Sequence, residues 1–228
     1  MHPSCALEKA GWDGFMLQSV EDALERKRVF RRARKSNRLR ALGIVLYHLG
    51  LSLRDCSTVL FNFGEASHEA IRKWYLKCRH LFHPTSRKRR AIAVDETKIK
   101  IQGKWMYVWA AIDIDTWDVL ATWASQGRSG LEALSFIREA LKVCENNPIV
   151  YVDRAPWYRW ALNRLGVPWE HRTFGPRNPI EQWFGILKQR IKRFYKRWPH
   201  NASIEQVNKW IRSFTSCYHI KKGQAVLS

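Results

Sequence analysis

The sequence predicts an α/β protein in two parts: a mixed sheet flanked by helices, preceded by an all-helical region. Three observations predict this. Apolar residues up to about residue 83 recur at helical spacing, with no convincing strand pattern. From Ala91 the periodicity changes to short strand-like runs: AIAVDETKIKI, KWMYVWAAID, VLATWASQG and IVYVD. Two of these apolar runs, AIAVD and IVYVD, end on an acid, Asp95 and Asp153, where a buried charge is costly.

Composition narrows the class of partner. The 228 residues carry 40 Lys and Arg against 20 Asp and Glu, a formal charge of +20. Hydrophobic content of 46% with 12 Trp argues for a packed chain rather than a disordered one. Both halves are basic, so the charge is no detachable tail, and nucleic acid is the first partner to consider, with an acidic membrane surface the weaker alternative. Five scattered cysteines without a CxxC pair support neither a zinc site nor a disulfide framework. No stretch reads as a signal peptide or a membrane span, so a reducing cytosol is the expected location.

The elements follow in order. Residues 1–36 form a basic N-terminal helical segment, and nine of the fifteen residues 26–40 are basic. That run suits either a solvated face or an arm for phosphates. Residues 37–82 predict helices near 37–49, 52–61 and 67–79. Gly50 closes the first, and Ser52 and Ser67 cap the next two. Short helices with a sharp break suit a helix-turn-helix whose last helix offers Ser67, His68, Arg72 and Lys73 to DNA. Ala70, Ile71, Trp74, Tyr75 and Cys78 would form its buried stripe.

HPTSRKRR (83–90) reads as a basic interdomain linker. Residues 91–228 then give a hairpin turning at Gly103, a third strand, a helix opened by the Ser129–Glu132 capping box and running to about 144, and a strand at 149–153. A helix at 156–165, a short strand near PWEHRTF, a long helix at 178–198 and a last helix near 203–217 complete the order. Three meandering strands, helix, strand, helix, strand and helices is the order of an RNase H-like fold.

Alternation along the first strand puts Ala91, Ala93 and Asp95 on one face and Glu96 on the other. With the fourth strand beside the first, Asp153 approaches Asp95, and Glu181 on the long helix completes a set of three carboxylates. Such a set suits divalent metal ions and phosphodiester chemistry without a protein nucleophile. Asp113, Asp115 and Asp118 read as turn acids. On the long helix Ile180, Phe184, Leu187, Ile191 and Phe194 form a core stripe, while Glu181, Gly185, Lys188 and Lys192 share an adjacent face. Gly185 suggests close approach by something, a ligand or a packed helix. Arg177, Lys188 and Lys192 are candidate phosphate contacts near the helix start and along that face.

VDETKIKIQGKWMYVWAAID, VDRAPWY, EHRTFGPRNPIEQWFGILKQRIKRF and the N-terminal ASHEAIRKW together resemble the DDE transposases of bacterial and archaeal insertion sequences, in particular insertion sequence family six. The resemblance covers about residues 37–220. It implies a catalytic, metal-binding triad of Asp95, Asp153 and Glu181, with Mg²⁺ as cofactor and Mn²⁺ as a substitute. Phe174, Arg177, Glu181 and Lys188 match the family's spacing around the glutamate, with Phe replacing Tyr. Only 27 residues separate Asp153 from Glu181, fewer than is usual for the family.

The resemblance further implies binding to terminal inverted repeats, cleavage at 3′ ends, strand transfer into target DNA by a replicative, cointegrate route, and at least a homodimer. Two other readings suit the same residues: a DNA-binding regulator or inactive derivative that binds ends without cutting, and a structure-specific nuclease or resolvase on the same fold.

Overall fold

The computed structural model describes residues 16–31, 34–101, 103–172, 175, 177–194 and 202–222. The chain divides into two compact units, Met1–His83 with Arg212–Ser228, and Pro84–Ile211. The first unit takes in the helical region up to His83. The expected catalytic domain of 91–228, however, gives up its end to the first unit.

In the first unit, helix α1 (residues 16–26) buries Met16, Val20, Ala23 and Leu24, one helical stripe. Helices α2 (Asn37–Leu49), α3 (Leu53–Leu60) and α4 (His68–Lys77) follow within one to two residues of the expected bounds. Gly50 closes α2 at φ 119°, a left-handed position that favours glycine. Ser52 and Ser67 cap α3 and α4, each accepting a backbone N–H three residues on. Ile71, Trp74, Tyr75 and Cys78 are buried as expected, and Ala70 is half-buried.

The end of the last helix belongs here because His219 stacks on Phe82 at 3.7 Å and Phe214 packs against His48 at 5.3 Å between ring centres. Local periodicity could mark this helix but not its destination.

In the basic run at 26–40, Arg26, Lys27, Arg28, Arg31, Arg34, Lys35 and Arg38 are exposed, whereas Arg40 is folded in. Arg40 is buried, its guanidinium 4.5 Å from the Phe30 ring centre and its Nη1 donating to Asn37 at 2.9 Å. Arg38 pairs with Glu21 at 2.9 Å. Long basic stems can cover apolar surface, and here they do.

The second unit is built on a five-stranded sheet in the order β3-β2-β1-β4-β5. Strands β1 (Ala91–Ile101), β2 (Lys104–Asp113) and β3 (Val119–Ser125) form an antiparallel meander, and β4 (Ile149–Val152) and β5 (Trp169–His171) run parallel to β1. This is the RNase H-like arrangement the element order predicted.

Ile92, Val94, Trp109 and Ala111 share the face packed on α5 (Gly130–Leu141) and α6 (Pro156–Leu165), together with Phe136, Ile137, Ala161 and Leu162. The other face of β1 and β2 carries α7 (Asn178–Lys192). The capping box at Ser129 and Glu132 forms as read, although α5 ends at Leu141. Helix α7 ends at Lys192 rather than 198, so Phe194 lies past its end. Helix α8 (Ile204–Lys221) starts in this unit, where Asn208 accepts from the backbone of Ala124 at 2.7 Å and donates back at 3.3 Å. This satisfies part of the open edge of β3.

The segment read as a linker is instead pinned to the sheet unit. Arg87 pairs with Asp113 at 3.2 Å and Asp118 at 3.0 Å, and Arg90 pairs with Asp115. Arg89, fully buried at its side chain, pairs with Asp113 at 3.2 Å and donates to the carbonyls of Thr85, Arg87 and Val143. Asp113 is also the turn acid expected, accepting the N–H of Asp115 and Thr116. Four consecutive cations look like solvent-facing charge in sequence, but three of them, Arg87, Arg89 and Arg90, answer three acids on one turn about 25 residues downstream.

Candidate active site

Parallel pairing of Ala91, Ile92 and Ala93 with Ile149, Val150 and Tyr151 brings Asp95 and Asp153 to matching places where the two strands end their contact. Asp95 lies on the face of the small residues Ala91 and Ala93, opposite Ala110 of β2. Its Oδ1 accepts the N–H of Glu96 at 2.9 Å. Asp153 Oδ1 accepts the N–H of Ala155 at 2.9 Å, which fixes the carboxylate at the turn into α6.

Arg177 closes the cluster. It immediately precedes α7, is only 5% exposed, and its Nη2 lies 2.5 Å from Asp95 Oδ2. Its Nη1 donates to the carbonyl of Arg172 at 3.3 Å. The phosphate contact read for Arg177 is thus an internal ion pair in this state. Burial nevertheless outweighs the guanidinium and lifts the Asp95 carboxyl to about 6, with the charges of Glu96 and Asp153 pushing the same way.

Glu181 sits one helical turn beyond Arg177, exposed, in the first turn of α7. The structure therefore brings two of the three acids together and places the third on the helix that delivers Arg177. Among the described residues no three of His, Cys, Asp and Glu gather closely enough to hold a metal ion.

The donors still fit a hard dication. They are carboxylate oxygens only, and the buried member of the pair already attracts a positive group, the Arg177 guanidinium. Asp95 and Asp153 are the residues that could hold such an ion, with Glu181 the third donor on the adjoining helix.

Along α7, Glu181, Gly185, Lys188 and Lys192 are all exposed, as their shared face predicted. A Cβ built on Gly185 would meet nothing within 4 Å among the described residues, so packing does not demand this glycine. The core side of α7 is Ile180, Trp183, Phe184 and Leu187, with Ile191 only half-buried. Arg190 is buried, its guanidinium 4.6 Å from the Phe194 ring centre, and so does not join the basic face. Phe174, Lys196 and Arg197 lie outside the described residues.

Glu96 faces away from Asp95, as alternation required. Tyr158 donates to its Oε2, and Arg128 approaches Oε1 at 3.5 Å. Burial and the carboxylates of Glu96 and Asp95 raise the Tyr158 hydroxyl well above its ordinary range. Tyr158 was not legible as a partner of Glu96. The only local sign was its position in a helix directly after the IVYVD strand.

In the first unit, Ser67, His68 and Lys73 are exposed on or beside α4. Arg72 is half-buried, its Nε donating to both carboxylate oxygens of Glu69 at 3.0 and 3.1 Å. No helix among the described residues is long and apolar enough to cross a membrane.

The sheet order, with Asp95 and Asp153 at the ends of adjacent parallel strands, is that of an RNase H-like fold. The DDE domain family matches residues 89–224, and the chain belongs to that family of transposases, polynucleotidyl transferases in class. Within it the chain resembles insertion sequence family six.

An uncharacterized protein of Methanocaldococcus jannaschii is 39% identical over 91% of this chain and 97% of its own length. A Staphylococcus aureus transposase for insertion sequence element IS257 in transposon Tn4003 is 30% identical over 55% of this chain and 58% of its own. The chain thus matches little more than half the length of that transposase. The HTLV-2 integrase catalytic core solved with magnesium is 13% identical, with a TM-score of 0.42 over 58% of this chain and 86% of that one. That likeness is too loose to bear on function.

Proposed function

We propose that the chain is a DNA transposase that binds the terminal inverted repeats of an insertion sequence, cleaves at the 3′ ends and joins them to target DNA. The route proposed is replicative, through a cointegrate, with at least two copies of the chain pairing the two ends. The single observation that carries the reading is the seat of Asp95 and Asp153, in matching register at the ends of adjacent parallel strands inside a strongly basic chain. Membership of the DDE family supports it.

Asp95, Asp153 and Glu181 are the proposed holders of divalent metal, Mg²⁺ or in its place Mn²⁺. When bound, the metal would activate the attacking oxygen and stabilise the leaving one. The protein's own contribution is placement. Ala155 N–H and Glu96 N–H fix the two aspartates, and small residues beside Asp95 leave room for a phosphate. Lys188 and Lys192, on the face of Glu181, neutralise the approaching backbone. Arg177 holds Asp95 until another cation takes its place and then has donors for phosphate. Ser67, His68, Arg72 and Lys73 are the proposed contacts to the end sequence.

The test incubates the purified chain with labelled end duplex, a target plasmid and Mg²⁺. The parent should give joined product, and Asp153→Asn should bind the ends and join nothing. Equal joining by that variant would remove the triad. Cleavage without joining by the parent would favour a nuclease. A regulator that binds without cutting is the second reading, favoured by the exposed position of Glu181 outside the Asp95–Asp153 pair. End binding without any product, at every metal concentration, would establish it.

A further inference from the structure

The β1–β2 hairpin carries a feature that the metal site does not use. Pairing of β4 with β1 stops at Ala93, so from Glu96 on the hairpin runs past the parallel half of the sheet. The face of Asp95 stays apolar to the tip, with Ile99, Ile101 and Met106 buried. The opposite face changes character once it leaves the shelter of α5 and α6. There Lys98 pairs across the hairpin with Tyr107, and Lys100 with Trp105.

Each lysine lies over its partner's ring, at 5.9 Å for Lys98 on Tyr107 and 5.7 Å for Lys100 on Trp105. Arg128 extends the row, 5.1 Å from the Tyr107 ring centre and 4.6 Å from that of Trp157. Trp157 stands in the first turn of α6, two residues beyond Ala155, whose N–H holds Asp153.

This row alternates cations and aromatic rings from the hairpin tip to the neighbourhood of Asp153. Trp105 is 58% exposed, a costly place for an indole unless something covers it. Glu96, next to Lys98 along this face, is already engaged by Tyr158 and Arg128. Positive charge that tracks a backbone, interleaved with rings on which bases stack, is the chemistry that holds an unpaired nucleic-acid strand. A duplex, with its bases stacked inside, offers such rings no partner.

We propose that this face binds an unpaired segment of DNA strand by stacking bases on Trp105 and Tyr107, with Lys98, Lys100 and Arg128 meeting the phosphates. The site deepens the DNA-processing reading and rests on it for the identity of the strand. A strand lying along the row arrives at the turn that carries Asp153.

The full-length chain is titrated, without metal, into fluorescently labelled oligo(dT) of about 20 nucleotides. The same is done with an abasic strand of equal length and with end duplex. Trp105→Ala should weaken oligo(dT) binding by about tenfold or more and Trp105→Phe by much less. The abasic strand should bind weakly and show no dependence on position 105. Duplex binding and the thermal midpoint should be unchanged, since the removed ring is mostly exposed.

Parent-like binding of oligo(dT) by Trp105→Ala, or binding of the abasic strand as tightly as oligo(dT), would overturn the proposal. The two readings fail separately. Loss of the Asp153 assignment in the joining assay leaves a Trp105-dependent strand site standing. A strand affinity indifferent to Trp105 removes this site alone.

Discussion

Arg177 Nη2 and Asp95 Oδ2 lie 2.5 Å apart with side chains 7% and 15% exposed, so the acid at the centre of the sheet is neutralised by the residue that opens α7. The pair ties helix to strand, and it sets a cation against the carboxylate that the proposed metal needs.

Removing one partner of such a pair leaves the other buried without its counter-charge. Arg177→Met should destabilise the chain by about 3 kcal/mol. If Asp95 is a metal ligand, Mg²⁺ should restore more stability to this variant than it adds to the parent, because a dication replaces the lost guanidinium. Thermal melts with and without Mg²⁺ read this directly. Equal Mg²⁺ responses would detach Asp95 from metal binding.

Gly185 separates stability from function. Nothing described lies within 4 Å of an added Cβ, so Gly185→Ala should stabilise α7 by about 1 kcal/mol. Between Glu181 and Lys188, the same methyl group should lower joining if DNA approaches that face. A stabilised variant of unchanged activity would return Gly185 to neutrality.

The arginines of 87–90 are predicted to be structural. Arg89→Met should cost about 3 kcal/mol, because Asp113, a buried acid, loses its buried counter-charge and is left with Arg87 alone, and the carbonyls of Thr85, Arg87 and Val143 lose their donor. Lys88→Ala, at an exposed position, should stay within about 0.5 kcal/mol. Urea midpoints for the two variants decide it, and similar midpoints would restore the linker reading.

On α4, Ser67→Ala should lose about 1 kcal/mol through its cap, whatever its role in binding. Lys73→Ala should leave stability alone and weaken end-duplex binding, with the salt dependence of the affinity falling by about one counterion. An unaltered salt slope would exclude a phosphate contact by Lys73.

Much of this architecture was legible because it is written in local pattern. Alternation put Asp95 among small residues and turned Glu96 away, and both positions hold. Ser52, Ser67 and Ser129 marked helix starts because a hydroxyl three residues ahead of an orphan N–H leaves little choice of partner. What local pattern could not carry was pairing at long range. Arg89 and Asp113, Arg177 and Asp95, and Glu96 and Tyr158 meet only after the sheet is assembled, and a basic run reads the same whether its acids are solvent or a turn. The burial of Arg190 against the Phe194 ring is hidden for the related reason that its charge is visible in sequence and its neighbour in space is not. The destination of the last helix, whose Phe214 and His219 pack in the first unit, is likewise a tertiary fact.

Whether three carboxylates act together on DNA is decided at Glu181, which stands exposed on α7, outside the Asp95–Asp153 pair. The measurement is strand joining by Glu181→Gln at saturating Mg²⁺, with end binding measured in parallel. End binding should stay at the parent level, with joining reduced by about a thousandfold or more, the scale of losing a group that stabilises transition-state charge. Joining at the parent rate by Glu181→Gln would contradict it.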